Sequence, residues 1–401
     1  MRDYKDNHRV VITGLGVVSS LGIGWEKFWE NLMAGKSGIK KISLFDTKKY
    51  ERHYAGEISG FNSQLRYGRS SQFAILATKL AFADAGINKD SAFLKECGVG
   101  VGTTMGEAQV IEEIVLNYLE SKSTVVQGEL ASFYPASIIS ANIAKELQLS
   151  NKNIVFSTAC AAGNYSIGYA FDLIRTGKIS CMLAGGVDSL SRIAFTGFNR
   201  LFAVAEERCQ PFDKNRTGMI TGEGAGMLFL ERLDSAVQRR APIYAEVLSY
   251  GMSCDAGHMT SPDSVGVVKA LKKAIYSGNV SIDDVDYISA HGTGTPENDR
   301  AECYAIREVF KKRYKKIPVS SIKSMLGHTM GAASALETIA CCLAIQNQEI
   351  PPTINFVTKD QECDIDCVPN EGRKHKIKIV LNNSQAFGGN NAVLVLRKIK
   401  I

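Results

Sequence analysis

Ser157-Thr158-Ala159-Cys160-Ala161-Ala162-Gly163 marks the point where a β-branched run ends and a helix of small residues begins. Residues 153–158 read as a strand, and residues 161–175 carry helical spacing with Ala and Gly at close intervals. A strand delivered into the start of a helix is the unit of layered α/β folds. A cysteine at such a junction faces the helix N-terminus, whose partial positive charge favours thiolate. Taken alone, a cysteine there is more often a buried structural residue.

The same alternation continues outward. Strands are expected at 9–18, 97–103, 180–187, 245–251, 286–290, 377–382 and 392–398. Helices are expected at 70–85, 135–147, 265–276, 298–310 and 331–346. This pattern predicts α/β layers around buried sheets. Motif-bearing turns fall in both halves of the chain. That suits two similar halves packed together, although no internal repeat is evident.

Composition narrows the class. The 401 residues are 45% apolar and 22% charged, with 36 Gly and only 9 Pro, which suits a globular α/β chain and not a disordered one. The polar N-terminal segment gives no reason to expect a secretory leader, and no apolar run is long enough to span a bilayer. Ten cysteines without a CxxC pair read as reduced core residues of a cytoplasmic protein. Cys363 and Cys367 lack a matching ligand pair, so no metal site is expected. A net charge of +6 without a basic tract gives no reason to expect a nucleic-acid partner.

Three further segments carry chemistry. His291-Gly292-Thr293-Gly294-Thr295-Pro296 follows an apolar strand and places a histidine in a strand-end turn. Lys323-Ser324-Met325-Leu326-Gly327-His328-Thr329-Met330-Gly331 puts a second histidine in a Gly-rich turn before a small-residue helix. Asn383-Ser384-Gln385-Ala386-Phe387-Gly388-Gly389-Asn390-Asn391 offers paired glycines whose N–H groups can face an oxyanion. Each is weak alone, and the structural reading of each is an ordinary turn or surface charge. Together they form a nucleophile with two imidazoles.

These four segments, in this order, resemble the β-ketoacyl-acyl carrier protein synthases, the elongating class of the thiolase superfamily. The resemblance runs from Val10-Val11-Ile12-Thr13-Gly14-Leu15-Gly16 to Phe387-Gly388-Gly389, through Gly222-Glu223-Gly224-Ala225-Gly226 and His258-Met259-Thr260-Ser261-Pro262. It implies a five-layered α-β-α-β-α thiolase fold with two related halves. One half, residues 1–246, carries the cysteine; the other, 247–401, carries both histidines and the Gly-rich loop. It implies a decarboxylating Claisen condensation of an acyl group with malonyl-acyl carrier protein. By resemblance Cys160 is the acylated nucleophile, His291 and His328 the active-site imidazoles, Lys323 the active-site lysine and Glu337 the acid behind it. Phe387 is the gate, with Gly388 and Gly389 in its loop. Thr293 and Thr295 contact the phosphopantetheine arm, and Met105 lines the acyl pocket near a dimer interface. No cofactor is implied beyond the phosphopantetheine of the acyl carrier protein. Because that partner is acidic, Arg66 and Arg69 are expected on the docking surface.

The chain departs from the commonest pattern at Gln385 and Ala386, where Phe and Gly are usual. Thr103-Thr104-Met105-Gly106-Glu107 is also closer to ketosynthases of specialised pathways. Two substrate readings stay open, fatty-acid elongation and polyketide or polyene assembly, with a lean toward the second. The partner subunit is either a second copy or a related ketosynthase-like chain. A non-catalytic, chain-length-setting subunit is the alternative function, but such chains usually lose the nucleophile. A degradative thiolase would need a second loop cysteine, absent between Asn383 and Asn391.

Overall fold

The structure is a computed structural model that describes residues 8–61, 67–88, 93–122 and 128–399. Its frame is one large sheet, whose ten main strands are β1 Val10–Ser19, β2 Gly98–Gly102, β3 Asn153–Phe156, β4 Cys181–Asp188, β5 Gly224–Arg232, β6 Ala245–Cys254, β7 Tyr287–Ser289, β8 Val319–Ser320, β9 Ile379–Gln385 and β10 Asn390–Arg397. Gly22–Ile23 adds a short eleventh strand against β1.

The strand order is β8-β7-β9-β10-β6-β1-β5-β4-β2-β3. It divides into two sets with one topology. In the first, β3, β2 and β4 run parallel, and β5 and β1 follow antiparallel. In the second, β8, β7 and β9 run parallel, and β10 and β6 follow antiparallel. The sets join where Val10–Ile12 of β1 pair with Ala245–Val247 of β6.

Helices fill three further layers. The relevant ones are α1 Arg69–Asp84, α2 Ala108–Ser121, α3 Ile138–Leu147, α4 Ala162–Arg175, α5 Arg192–Arg200, α6 Ser264–Ser277, α7 Pro296–Phe310 and α8 Ala333–Asn347. Helices α1 and α3 cover the outer face of the first set, and α6 and α7 that of the second. Helices α4 and α8 lie between the two strand sets in a core that draws Val10, Ile12, Leu394 and Leu396 together. Residues 333–345 of α8 are buried on every side, so this helix shows no polar face. The result is the α-β-α-β-α layering expected from the resemblance.

Glycines let the middle helices seat closely. A Cβ on Gly163 in α4 would meet Ser334 Oγ at 2.7 Å, and one on Gly186 in β4 would meet the Gly331 carbonyl oxygen at 2.1 Å. These contacts bring the leading ends of α4 and α8 together, which is where the candidate site residues Cys160 and His328 lie.

Some elements lie outside the sequence expectation. The glycine run at 222–226 opens β5, a strand buried on both faces. No strand is expected there from the sequence, because the close approach that needs these glycines is visible only in three dimensions. Helices α2 and α5 were also missed. Among the described residues no helix is long and apolar enough to cross a membrane. The ten cysteines are free thiols, all buried except Cys254.

Candidate active site

Cys160 follows β3, the third strand of the first set. Its turn has Ala159 at φ 48°, a 3-10 turn over Ala159–Ala161, and then α4. His328 follows β8, the third strand of the second set. Met330 at φ 53°, a 3-10 turn over Met330–Ala332, and then α8 complete the same design. His291 follows β7, and the Phe387 loop follows β9. The four segments therefore meet at the carboxyl ends of parallel strands, where open side-chain space occurs in layered sheets.

They enclose a cavity of about 400 Å³ that Cys160, His291, Thr293, Thr295, His328 and Phe387 help line. Leu201, Phe202 and Met259 are exposed at its rim, Phe202 at 90%. The Phe387 ring lies 5.9 Å from that of Phe198 on α5. Gly388 and Gly389 hold φ values of 83° and 78°, a region open to glycine at no steric cost. The Thr293 and Thr295 hydroxyls are 2.9 Å apart.

The imidazoles of His291 and His328 stand edge to face, with centroids 5.3 Å apart. Met330 N donates to His328 Nδ1 at 3.1 Å, so the ring proton sits on Nε2. Lys323 Nζ stands 3.4 Å from His291 Nδ1 and donates to the His291 carbonyl at 2.7 Å. The lysine also pairs with Glu337, and both are fully buried. Burial, reinforced by the Lys323 charge, pushes both histidines well below the usual imidazole range, so both are neutral. Burial pushes Glu337 up to about 7 while the neighbouring ammonium pulls it down.

The Cys160 thiol is pushed up to about 12 by burial, with Lys323 opposing and Asp188 reinforcing the shift. Backbone N–H groups of Cys160 and Phe387 point at the sulfur. The helix N-terminus favours thiolate, as the sequence suggests, but burial acts against it. The helix end is present, but loss of water around the sulfur outweighs it.

Lys323 and Glu337 lie behind the cavity wall. Met105 does not line the cavity; it occupies a half-buried turn after β2, where its N–H donates to Asp188 at 3.0 Å. Arg69, expected on the docking surface, is engaged within the fold. Its guanidinium pairs in a fork with the fully buried Glu223, donates to the Ile58 carbonyl at 2.9 Å and stacks on Phe73. A cation so engaged, with a side chain only 15% exposed, presents little free charge at the surface. Arg66 lies outside the described residues.

Two carboxylates escaped the sequence reading. Glu302 on α7 accepts the His291 and Gly292 N–H groups, each at 2.8 Å, and holds that turn. Asp188 at the end of β4 accepts from Thr103 Oγ1, Thr104 N, Met105 N and Gly331 N, and so ties the first set to the His328 turn. Acids on a helix or at a strand end read as solvated charge. The one available signal was the position of Glu302 on the helix opened by the histidine turn.

Comparison with known proteins agrees with this geometry. The family model described as beta-ketoacyl synthase, N-terminal domain, matches residues 7–236, and the C-terminal domain model matches residues 244–357. The 3-oxoacyl-[acyl-carrier-protein] synthase 2 of Coxiella burnetii (strain RSA 493 / Nine Mile phase I) is 38% identical over 98% of this chain and 99% of its own. The solved ishigamide ketosynthase/chain length factor superposes with a TM-score of 0.95 at 43% identity, covering 98% of this chain and 100% of that one. A type II PKS acyl-carrier protein in complex with its ketosynthase, bound to the hexaketide, gives a TM-score of 0.93 at 34% identity, covering 98% and 100%.

Proposed function

The chain belongs to the beta-ketoacyl synthase family, and from that premise we propose how the cavity around Cys160 performs the family reaction. The enzyme catalyses a decarboxylating Claisen condensation of an acyl group with malonyl-acyl carrier protein, giving 3-oxoacyl-acyl carrier protein.

The Cys160 sulfur adds to an acyl thioester. The N–H groups of Cys160 and Phe387 hold the oxyanion, and the thiol proton leaves with the carrier's sulfur. Malonyl thioester then enters and loses carbon dioxide, and its electron pair moves into an enolate. The two neutral Nε2–H groups of His291 and His328 hold the enolate oxygen. Removing one such donor costs ~2.7–4 kcal/mol. The enolate carbon attacks the acyl-cysteine carbonyl. A C–C bond forms, the C–S bond breaks, and the sulfur takes up a proton. Lys323 positions His291 and holds its Nδ1 free of a proton, with Glu337 balancing the charge. Thr293 and Thr295 contact the pantetheine arm, and Phe387, on its Gly388-Gly389 hinge, gates the cavity. The chemistry needs no metal or redox cofactor, because the imidazoles carry the developing charge.

The observation that carries this reading is the convergence of two neutral imidazoles on one cavity with a buried thiol. The chain divides functionally into a half bearing the nucleophile and a half bearing both histidines, and the matched strand orders support that division. An acyl carrier protein is the partner, as in the related type II PKS complex. The 43% identity to a ketosynthase/chain length factor supports a ketosynthase-like mate and a polyketide or polyene product over fatty-acid elongation. The same reading puts the enzyme in the cytoplasm with its carrier. A non-catalytic chain-length subunit is disfavoured because Cys160, His291, His328 and Lys323 are all present.

Intact-mass spectrometry with a panel of acyl-carrier proteins tests this. The wild type gains the acyl mass and Cys160→Ala does not, and malonyl-carrier protein discharges the adduct as a 3-oxoacyl product. Absence of any adduct, alone or with a co-expressed mate, would defeat the catalytic reading.

A further inference from the structure

Gln385 ends β9 and is 3% exposed, yet neither its amide oxygen nor its amide nitrogen has a hydrogen-bond partner. Strand alternation explains where the side chain goes. Asn382 and Ser384 turn to the middle layer, contacting the Ser334 and Cys160 carbonyls. Asn383 turns the other way, to Glu302, and Gln385 shares its face. That face opens into the cavity beside Thr293 and Thr295. Among the described residues with orphaned buried polar atoms, only Gln385 lines this cavity. Leaving both halves of an amide unpaired is costly, so a native structure that keeps one has a use for it.

We propose that Gln385 is a substrate-binding residue that reads the amide groups of the thioester-bearing arm, its Nε2 donating to an amide carbonyl and its Oε1 accepting from an amide N–H. The inference rests on the ketosynthase reading and adds a recognition element to it. The ligand's chemistry follows from what Gln385 lacks. An arm with successive amides supplies an acceptor and a donor in line. The extender carboxylate fits worse, because its charge repels Oε1. A donor aimed at it would also stabilise the ground state that must lose carbon dioxide. Thr293 and Thr295 add hydroxyls along the same wall.

The test uses the full chain, malonyl-pantetheine, and oxa analogues in which one or the other amide N–H is replaced by an ester oxygen. In the wild type, one analogue raises KM about tenfold. In Gln385→Met, which keeps the volume and removes both polar atoms, KM for the parent rises about tenfold and the preference for amide over ester disappears. The unfolding midpoint of Gln385→Met stays level or rises, because a buried unpaired amide has been removed. Gln385→Ala serves as a second variant and loses the same preference. Wild-type discrimination retained in both variants would overturn the proposal, as would a lowered midpoint with an unchanged KM. Failure of the wild type to acylate Cys160 is a separate result that defeats the ketosynthase reading and this inference with it.

Discussion

Cys160 sits in opposing fields: burial and the Asp188 carboxylate push its thiol up, Lys323 pulls it down, and burial prevails. On the proposed mechanism, reactivity comes from placement beside two N–H donors and not from a standing thiolate. Alkylation by iodoacetamide should consequently accelerate about tenfold per pH unit from about pH 7 to about pH 10, without a plateau. A plateau below about pH 9 would contradict the buried-thiol account. The candidate site residues were legible because each stands in a turn of small residues at a strand end, a local feature. Asp188 and Glu302 were not, since their partners are fixed by the fold and their types alone suggest solvated acids.

At the scale of elements, the seams between β4, α4 and α8 decide the geometry. Asn164 on α4 and Asn382 on β9 share hydrogen bonds with Ser334 and Thr338 on α8, a buried polar network that fixes the middle layer. Gly186 lies where backbone nearly touches backbone. Gly186→Ala should cost about 1–3 kcal/mol or more, measured by denaturant unfolding, because the obstructing atom is a carbonyl oxygen and not a flexible side chain. It should also lower turnover, since the displaced Gly331 belongs to the His328 turn. Full stability in this variant would show that the seam gives way more easily than its packing implies. The same seams explain why β5 was missed. Glycines at 222, 224 and 226 look like turn residues until Gly226 is seen facing the Leu336 N–H across the layer.

Packing joins the two strand sets across the middle layer. The core around α4 and α8 takes residues from both strand sets, and Glu246 of the second set accepts from Arg9 of the first and from Arg397. Calorimetry should therefore record a single transition, with agreement between calorimetric and van't Hoff enthalpies. Two separable transitions would mean that the halves are independently stable and that the middle layer couples them weakly.

By itself the sequence determined the alternation of strands and helices, the order of the functional turns and the residue types that do the chemistry. Those depend on neighbours along the chain, through periodicity and turn preference. Only the tertiary structure decided that Arg69 serves a buried carboxylate, that burial pushes the Cys160 thiol up and that Gln385 faces the cavity unpaired. Those properties depend on which distant groups exclude water from a site and which ones reach it, and neither burial nor partnership is encoded in local spacing.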